Sequence, residues 1–207
     1  MVISIRFCLV LWLMSLSVTT GWSKVNFSEL RQTIASNEAP LEERLDALEA
    51  FSSELTSGNA EELVSLLYPF LAMNLTDEQY ALVRSLQAKA LIQANRQEQA
   101  RDMLDSLLSQ SGERSFDDRA LFLLYFQRGR AQRRIRSQNN YRSKALSDFQ
   151  TALDLAEELD DMALQVAAHD ALGSVYKGLN DMETAVVNYT FILRFSEDDD
   201  MLSLIHI

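Results

Sequence analysis

The stretch ALGSVYKGLNDMETA, residues 171–185, decides the fold predicted for this chain. It places small residues at Gly173 and Ala185, with Tyr176 three positions after the first and Tyr189 four positions after the second. A side chain larger than Ala at a helix crossing would hold the two axes beyond the roughly 8–10 Å that ridge-into-groove packing prefers. The stretch therefore predicts a closely packed pair of helices.

The same pattern recurs three times upstream, at intervals of 40, 45 and 40 residues. The small residues of the second helices are Ala60, Ala100, Ala145 and Ala185, and four residues after them come Val64, Leu104, Phe149 and Tyr189. Seven residues after Ala145 comes a further small residue, Ala152. The equivalent positions of the first helices are Leu48, Ala88, Gly129 and Gly173. Self-similarity at this period predicts one helix pair for each of four copies.

This register resembles the tetratricopeptide repeat, an antiparallel helix pair with small residues where its helices cross. The fourth copy, from Leu172 to Tyr189, matches best, and residues 144–161 of the third copy match well. The first copy has Leu48 at the small position and reads as a degenerate capping repeat. The resemblance implies that the packing positions are Ala88, Ala100, Gly129, Ala145, Phe149, Ala152, Gly173, Tyr176, Ala185 and Tyr189.

The composition agrees with an all-α fold, because only two prolines and six glycines occur in 207 residues. The predicted helices span 42–55, 60–72, 77–94, 97–110, 117–136, 142–159, 162–178 and 182–195. We divide this part of the chain into N-terminal helices with the capping repeat (24–76) and tetratricopeptide-like repeats (77–196). The resemblance implies a right-handed superhelical stack, an α-solenoid, whose concave side is lined by the first helix of each pair.

The first 23 residues have the pattern of a secretory signal peptide. Arg6 precedes an apolar run over 7–18, and Gly21-Trp22-Ser23 offers a cleavage site. We therefore expect an exported protein with an extracytoplasmic, periplasmic location. An uncleaved anchor is the alternative, although spanning a bilayer needs roughly 20 apolar residues. Cleavage would also remove Cys8, the only cysteine in the chain.

The other end of the chain also departs from the helical pattern. An acidic run over 197–200 is followed by LSLIHI, residues 202–207. These six residues resemble, codon for codon, a translation of the transposon end sequence used as an adapter in shotgun libraries. We expect 202–207 to be an adapter-derived artefact and 197–201 to be an acidic linker or truncated edge, with the natural chain continuing beyond it. A genuine C-terminus is the alternative.

The sequence gives no sign of catalysis, of a metal site or of a cofactor site. Only His169 and His206 could serve as imidazole groups, so neither a histidine-based metal cluster nor a Ser/His/Asp triad can be assembled. Neither G-x-G-x-x-G nor a Walker motif occurs. We therefore expect no enzyme activity in this segment, no cofactor and no metal. The formal net charge of -11 also argues against general binding to nucleic acid or anionic membranes.

The repeat register predicts a cluster of cations on the concave side, which is unexpected in so acidic a chain. These cations and two apolar residues form the predicted peptide-binding groove, which contains Lys89, Leu123, Phe126, Arg130, Arg133, Arg134 and Lys177. Arginine pairs with carboxylates through two hydrogen bonds, so the groove suits an acidic peptide of another protein. The alternative is that residues 128–144 form a solvated basic helix end and loop, favoured by the helix dipole. Ser85, Phe126 and Asp170 differ from the family's chaperone-tail clamp, which argues against that ligand.

Two functional classes are open for a scaffold of this kind. The chain resembles the extracytoplasmic repeat regions of bacterial membrane-bound diguanylate cyclases and histidine kinases, which implies a sensory and binding region of a longer signalling protein. The alternative is a stand-alone periplasmic adaptor that assembles other proteins. In either class, contact with the membrane would come only through the N-terminal segment or a missing downstream helix.

Overall fold

The computed structural model describes residues 26–109, 114–135 and 140–196, and this part of the chain is all-helical. The expected signal peptide, the acidic run and the suspected adapter residues lie outside the described residues. The helices are α1 (Phe27–Ala35), α2 (Leu41–Ser53), α3 (Ala60–Leu71), α4 (Asp77–Gln93), α5 (Gln97–Ser109), α6 (Asp118–Arg134), α7 (Tyr141–Glu158), α8 (Met162–Gly178) and α9 (Met182–Ser196).

The eight helices predicted from the sequence are all present, and each end lies within two residues of its predicted position. The first helix, α1, was not among them. It is nine residues long and lies before the first of the four repeat copies, so the repeat pattern does not reach it. The Asn26 side chain begins it by accepting hydrogen bonds from the N–H groups of Ser28 and Glu29.

Local hydrogen bonds explain where the helices begin. Thr76 and Gln79 form a capping box at the start of α4, with reciprocal side-chain to backbone bonds of 3.1 and 3.2 Å. Three aspartates each accept a hydrogen bond from the N–H group three residues later, and so begin α6, α8 and α9: Asp117, Asp161 and Asp181. These caps fix the helix starts in the register that the repeats require.

Three helices end at a residue with a positive φ angle. Asn95 follows α4 with φ 60°, Asp160 follows α7 with φ 50°, and Asn180 follows α8 with φ 64°. Asparagine and aspartate tolerate this left-handed conformation better than other non-glycine residues. The chain therefore reverses direction sharply after each of these helices.

Each helix packs against the next one along the chain, and alternate helices also meet: α2 contacts α4, α4 contacts α6, and α6 contacts α8. One hydrophobic cluster extends from Ile34 in α1 to Ala131 in α6. A second extends from Phe122 in α6 to Val175 in α8. Helix α6 contributes residues to both clusters and forms the wall between them.

Two glycines lie where a first helix crosses its partner. A Cβ atom on Gly129 would stand 2.7 Å from the Phe149 ring, and one on Gly173 would stand 2.8 Å from the Tyr189 ring. These separations are shorter than van der Waals contact, so each ring occupies the space that a side chain would need. Five alanines at the other packing positions are buried: Ala88, Ala100, Ala145, Ala152 and Ala185.

Helix α9 buries one side of its apolar surface and exposes the other. Ala185 is buried, whereas Met182, Val186 and Val187 are more than half exposed. Among the residues that the structure describes, no helix combines the length and apolar character that crossing a bilayer would require.

Candidate functional site

The seven residues of the predicted groove lie on three helices, of which α6 contacts the other two. Lys89 lies on α4, Lys177 lies on α8, and α6 carries the other five. The structure does not gather all seven into one site. Four of the five cations form two groups on and beside α6, and Lys177 belongs to neither group.

The first group, called here the inner cations, consists of Lys89 and Arg130. The Lys89 ammonium is partly buried, and its Nζ lies 3.5 Å from Ser52 Oγ of α2. Burial, and then the positive charge of Arg130, lower the pKa of Lys89 to about 8, while Glu49 acts in the opposite direction. Among the described residues, Lys89 forms no ion pair. It remains charged at neutral pH.

Arg130 is also partly buried, and it donates a hydrogen bond of 3.2 Å to the neutral Oε1 of Gln127. Burial, and then the charges of Arg133 and Arg134, lower the pKa of Arg130 to about 10. No carboxylate in the described ranges pairs with it. The inner cations therefore repel each other in surroundings that give them little compensation.

Apolar side chains of α6 accompany the inner cations. Leu123 and Phe126 are partly buried and pack against the second hydrophobic cluster. The Phe126 ring stacks on Phe122 with 5.4 Å between centroids and meets the edge of Phe149 at 5.6 Å. Their exposed edges leave apolar surface next to the charges.

Sequence reasoning missed the acidic residues near Lys89. Glu49 of α2 feels the charges of Asp46, Arg119 and Lys89, so these side chains share one region. Loss of surrounding water, and then Asp46, raise the pKa of Glu49, although its side chain is exposed at the surface. The three-residue spacing of Asp46 and Glu49 places both on one side of α2, which is the signal that could have found them. The region is thus acidic at α2 and basic at α6.

The second group lies at the C-terminal end of α6. Arg133 donates a hydrogen bond of 2.6 Å to Ser174 Oγ of α8, and Arg134 donates one of 3.0 Å to the carbonyl of Ile92. With Arg142 of α7, they line a cleft of about 850 Å³, and we call these three residues the cleft arginines. Arg142 lies within the basic segment 128–144 that the sequence pointed out.

Lys177 belongs to neither group. Its side chain is exposed, and it is not among the described residues that line the cleft. Helix α8 instead contributes Ser174 and Gly178 to the cleft wall.

His169, which the sequence analysis also considered, lies outside both groups of cations. His169 stacks on Phe191 with 3.9 Å between ring centroids, and its Nδ1 lies 2.9 Å from Asn188 Oδ1. Within the described residues, no cluster of histidine, cysteine, aspartate and glutamate could hold a metal ion. The arrangement around α6 offers charge and apolar area for binding.

Comparisons of the chain with protein-family models, with curated proteins and with solved structures found no match. The resemblance to the tetratricopeptide repeat therefore stays a prediction that depends on the residues quoted above.

Proposed function

We propose that this protein is an interaction scaffold that binds an acidic peptide segment of another protein. Its helix pairs would stack as an α-solenoid, with the peptide lying across α2, α4, α6 and α8. The observation that carries the proposal is the pair of inner cations, Lys89 and Arg130, which are partly buried and have no ion pair among the described residues.

The helix contacts support the stacked arrangement. First helices of successive pairs meet in the order α2, α4, α6 and α8, as they would along one side of a solenoid. The close approach of Phe149 to Gly129 and of Tyr189 to Gly173 supports a repeated crossing geometry. A surface formed by successive first helices would suit an extended ligand.

The electrostatics favour an anionic ligand. Burial and neighbouring arginines lower the pKa of both Lys89 and Arg130, so keeping them charged costs stability, and a nearby carboxylate would reduce that cost. Charge-assisted hydrogen bonds from Lys89 and Arg130 would be stronger than neutral ones, and Phe126 would add apolar contact. Because Asp46 and Glu49 add negative charge on α2 near Lys89, a peptide that carries a cation as well as carboxylates would fit best.

We also propose an extracytoplasmic location, supported by the signal-peptide pattern of residues 1–23. The scaffold would then serve as the sensory and binding region of a signalling protein, with the stand-alone adaptor as the alternative. A fusion of residues 1–60 to an enzyme that is active only outside the cytoplasm tests the location. Enzyme activity in the fusion strain is expected, and its absence would contradict export.

A peptide titration tests the binding function directly. Calorimetry would compare a panel of peptides of about ten residues, containing glutamate clusters, with copies in which glutamine replaces glutamate. We expect the best glutamate peptide to bind at least roughly tenfold more tightly than its glutamine copy. Arg130→Met should weaken that peptide roughly tenfold, since the methionine keeps the apolar volume but removes the charge.

Arg194→Met is the matched control, because Arg194 is an exposed arginine on α9 and its removal changes the net charge equally. It should leave the peptide affinity unchanged. Equal loss in the Arg130 and Arg194 variants would show a general effect of net charge and contradict a groove at the inner cations. Equal affinity for the glutamate and glutamine peptides would contradict the acidic ligand.

A further inference from the structure

The cleft at the end of α6 carries a concentration of positive charge with no carboxylate among its described lining residues. Arg133 and Arg134 come from α6, and Arg142 comes from the first turn of α7. A Cβ atom on Gly178 would stand 4.0 Å from Arg142 Nε, so Arg142 lies beside the last turn of α8. Two helices, α6 and α7, therefore bring the cleft arginines to one opening beside the end of α8.

Among the described residues, the partners of these arginines are all neutral. Arg133 bonds to a hydroxyl, Arg134 bonds to a backbone carbonyl, and the Arg142 guanidinium lies 5.1 Å from the centre of the Tyr141 ring. By contrast, six other arginines in the described ranges form ion pairs: Arg31, Arg96, Arg101, Arg114, Arg119 and Arg128. Each guanidinium has five N–H donors, so most of these donors have no partner among the described residues and could bind a ligand.

The helix ends beside the cleft add smaller charges of both signs. Helix α7 begins at Tyr141 without a side-chain cap from Asn140 and without an acidic residue in its first turn, so its N–H groups add positive potential. The C-terminal carbonyls of α6 and of α8 each add about half a negative charge. Together these are less than the three positive charges of the arginines, so the cleft remains cationic.

The size and walls of the cleft indicate what kind of molecule would fill it. Its volume of about 850 Å³ falls within the range of small-molecule sites. Ser174 Oγ adds a hydroxyl, and the Tyr141 ring adds a flat apolar surface. The buried Oε1 of Gln97, which also lines the cleft, has no hydrogen-bond partner among the described atoms.

We infer that this cleft is a binding site for a small organic anion with two or more negative charges, distinct from the peptide surface of the inner cations. Phosphate and carboxylate groups both match the paired donors of arginine, so the shared chemistry is that of a multivalent oxyanion. Arg133, Arg134 and Arg142 bind the oxyanion, Ser174 contributes a hydrogen bond, and Tyr141 contacts the organic part.

Calorimetric titration of the whole chain with three probes tests the site: inorganic phosphate, phenyl phosphate and citrate, all at constant ionic strength. Saturable binding of one probe per chain, with a Kd below about 1 mM, is expected. Tighter binding of phenyl phosphate than of citrate would assign the site to phosphoryl groups, and the reverse order would assign it to carboxylates. Both orders support the proposal.

Two variants locate the binding. Arg142→Gln and Arg134→Gln should each weaken the probe roughly tenfold, while Arg194→Gln should not change its affinity. Circular dichroism checks that each variant keeps its helices. Absence of saturable binding up to about 10 mM of every probe, or equal affinity in the wild type and both cleft variants, overturns the proposal.

The peptide titration separates this site from the proposed function. Arg142→Gln should leave the affinity for the best glutamate peptide within about twofold of the wild type, because Arg142 lies beyond the inner cations. A parallel loss of peptide and probe binding would show that the cleft is part of the peptide surface, and would overturn the separate site. If no peptide of the panel binds, the probe titration still decides whether the cleft is a binding site.

Discussion

Two sides of α6 hold arginines in opposite electrostatic surroundings. Arg128 bonds to both carboxylate oxygens of Asp148, at distances from 2.6 to 3.1 Å, and to Asp105 at 3.1 Å. Within the described ranges, Arg130, two residues later, bonds only to the neutral side chain of Gln127 and is repelled by Arg133 and Arg134. Because successive residues turn by about 100° around a helix, positions two apart point in nearly opposite directions.

The difference teaches how to separate structural charges from binding charges in this protein. The positive charge of Arg128 is neutralised within the chain, so its role is to hold α5, α6 and α7 together. The charge of Arg130 is not neutralised by any described residue, so an external anion can bind there without displacing an internal partner. We base the functional proposal on this contrast.

The largest predicted effect comes from removing Arg128, whose charge is neutralised within the chain. Arg128→Met should lower the free energy of unfolding by about 3–5 kcal/mol, since it leaves the Asp148 carboxylate without its partner. The Asp148 side chain is only 5% exposed. Urea denaturation of the purified protein measures this change.

The double variant Arg128→Met/Asp148→Leu is the control. It should recover most of the lost stability, because neither charge then remains buried. A loss below about 1 kcal/mol in the single variant would show that Arg128 is an ordinary surface charge and remove one side of the comparison.

A smaller effect is expected at Gly129, which lies between the two arginines and faces α7. Gly129→Ala should lower the free energy of unfolding by about 1–3 kcal/mol, because the new methyl group overlaps the fully buried ring of Phe149. Adding Phe149→Leu should restore part of the loss, since it recreates the Ala88 and Leu104 combination of the second pair. Thermal or urea denaturation checks both values.

Gly58→Ala provides the matched control for that experiment. A Cβ atom on Gly58 would meet nothing closer than Thr56 Oγ1 at 3.7 Å, so little destabilisation is expected. Equal losses at Gly58 and Gly129 would show a backbone effect and contradict close packing at the crossing.

The smallest effect is a pH dependence at the inner cations. The folded protein releases the Lys89 proton near a pKa of about 8, whereas the unfolded chain holds it up to about 10.5. The unfolded state therefore binds more protons between these values, and stability contributed by Lys89 rises with pH. Relative to Lys89→Met, wild-type stability should increase by about 1–2 kcal/mol from pH 7 to pH 10.5, after allowance for solvent screening.

Urea titrations of both proteins at matched pH values measure this difference. The subtraction removes the other groups that titrate in the same range. A flat or falling difference would mean that Lys89 is fully compensated in the folded protein, and would weaken the contrast with Arg128.

The periodic features of the fold were accessible to sequence reasoning. Helices α2 to α9 follow from the recurrence of small and large apolar positions in four copies, which averages out local exceptions. The residues at the small positions vary. Gly129 faces the large ring of Phe149, whereas the repeat register predicts that in the first pair Leu48 takes the place of Gly129 and the smaller Val64 that of Phe149. A larger residue on one helix goes with a smaller one on the other, which a search for glycine or alanine alone does not detect.

Sequence reasoning could not show which cations are neutralised within the chain and which are not. Periodicity can place Arg128 and Arg130 on different sides of α6, but it cannot reveal that Asp105 and Asp148 reach Arg128 from α5 and α7. Those contacts depend on the relative rotation of three helices. Likewise, Arg142 joins Arg133 at the cleft only because the start of α7 lies beside the end of α6.

The central claim is that the charge of Arg130 is compensated by a ligand and not by the protein itself. The decisive measurement is the unfolding free energy of wild type and Arg130→Met, each without and with a saturating glutamate-rich peptide. We predict that the variant is at least as stable as the wild type without peptide, and less stable than the wild type with peptide by about 1 kcal/mol or more. A variant that is already less stable without peptide, with equal stabilisation of both proteins by the peptide, would contradict the claim.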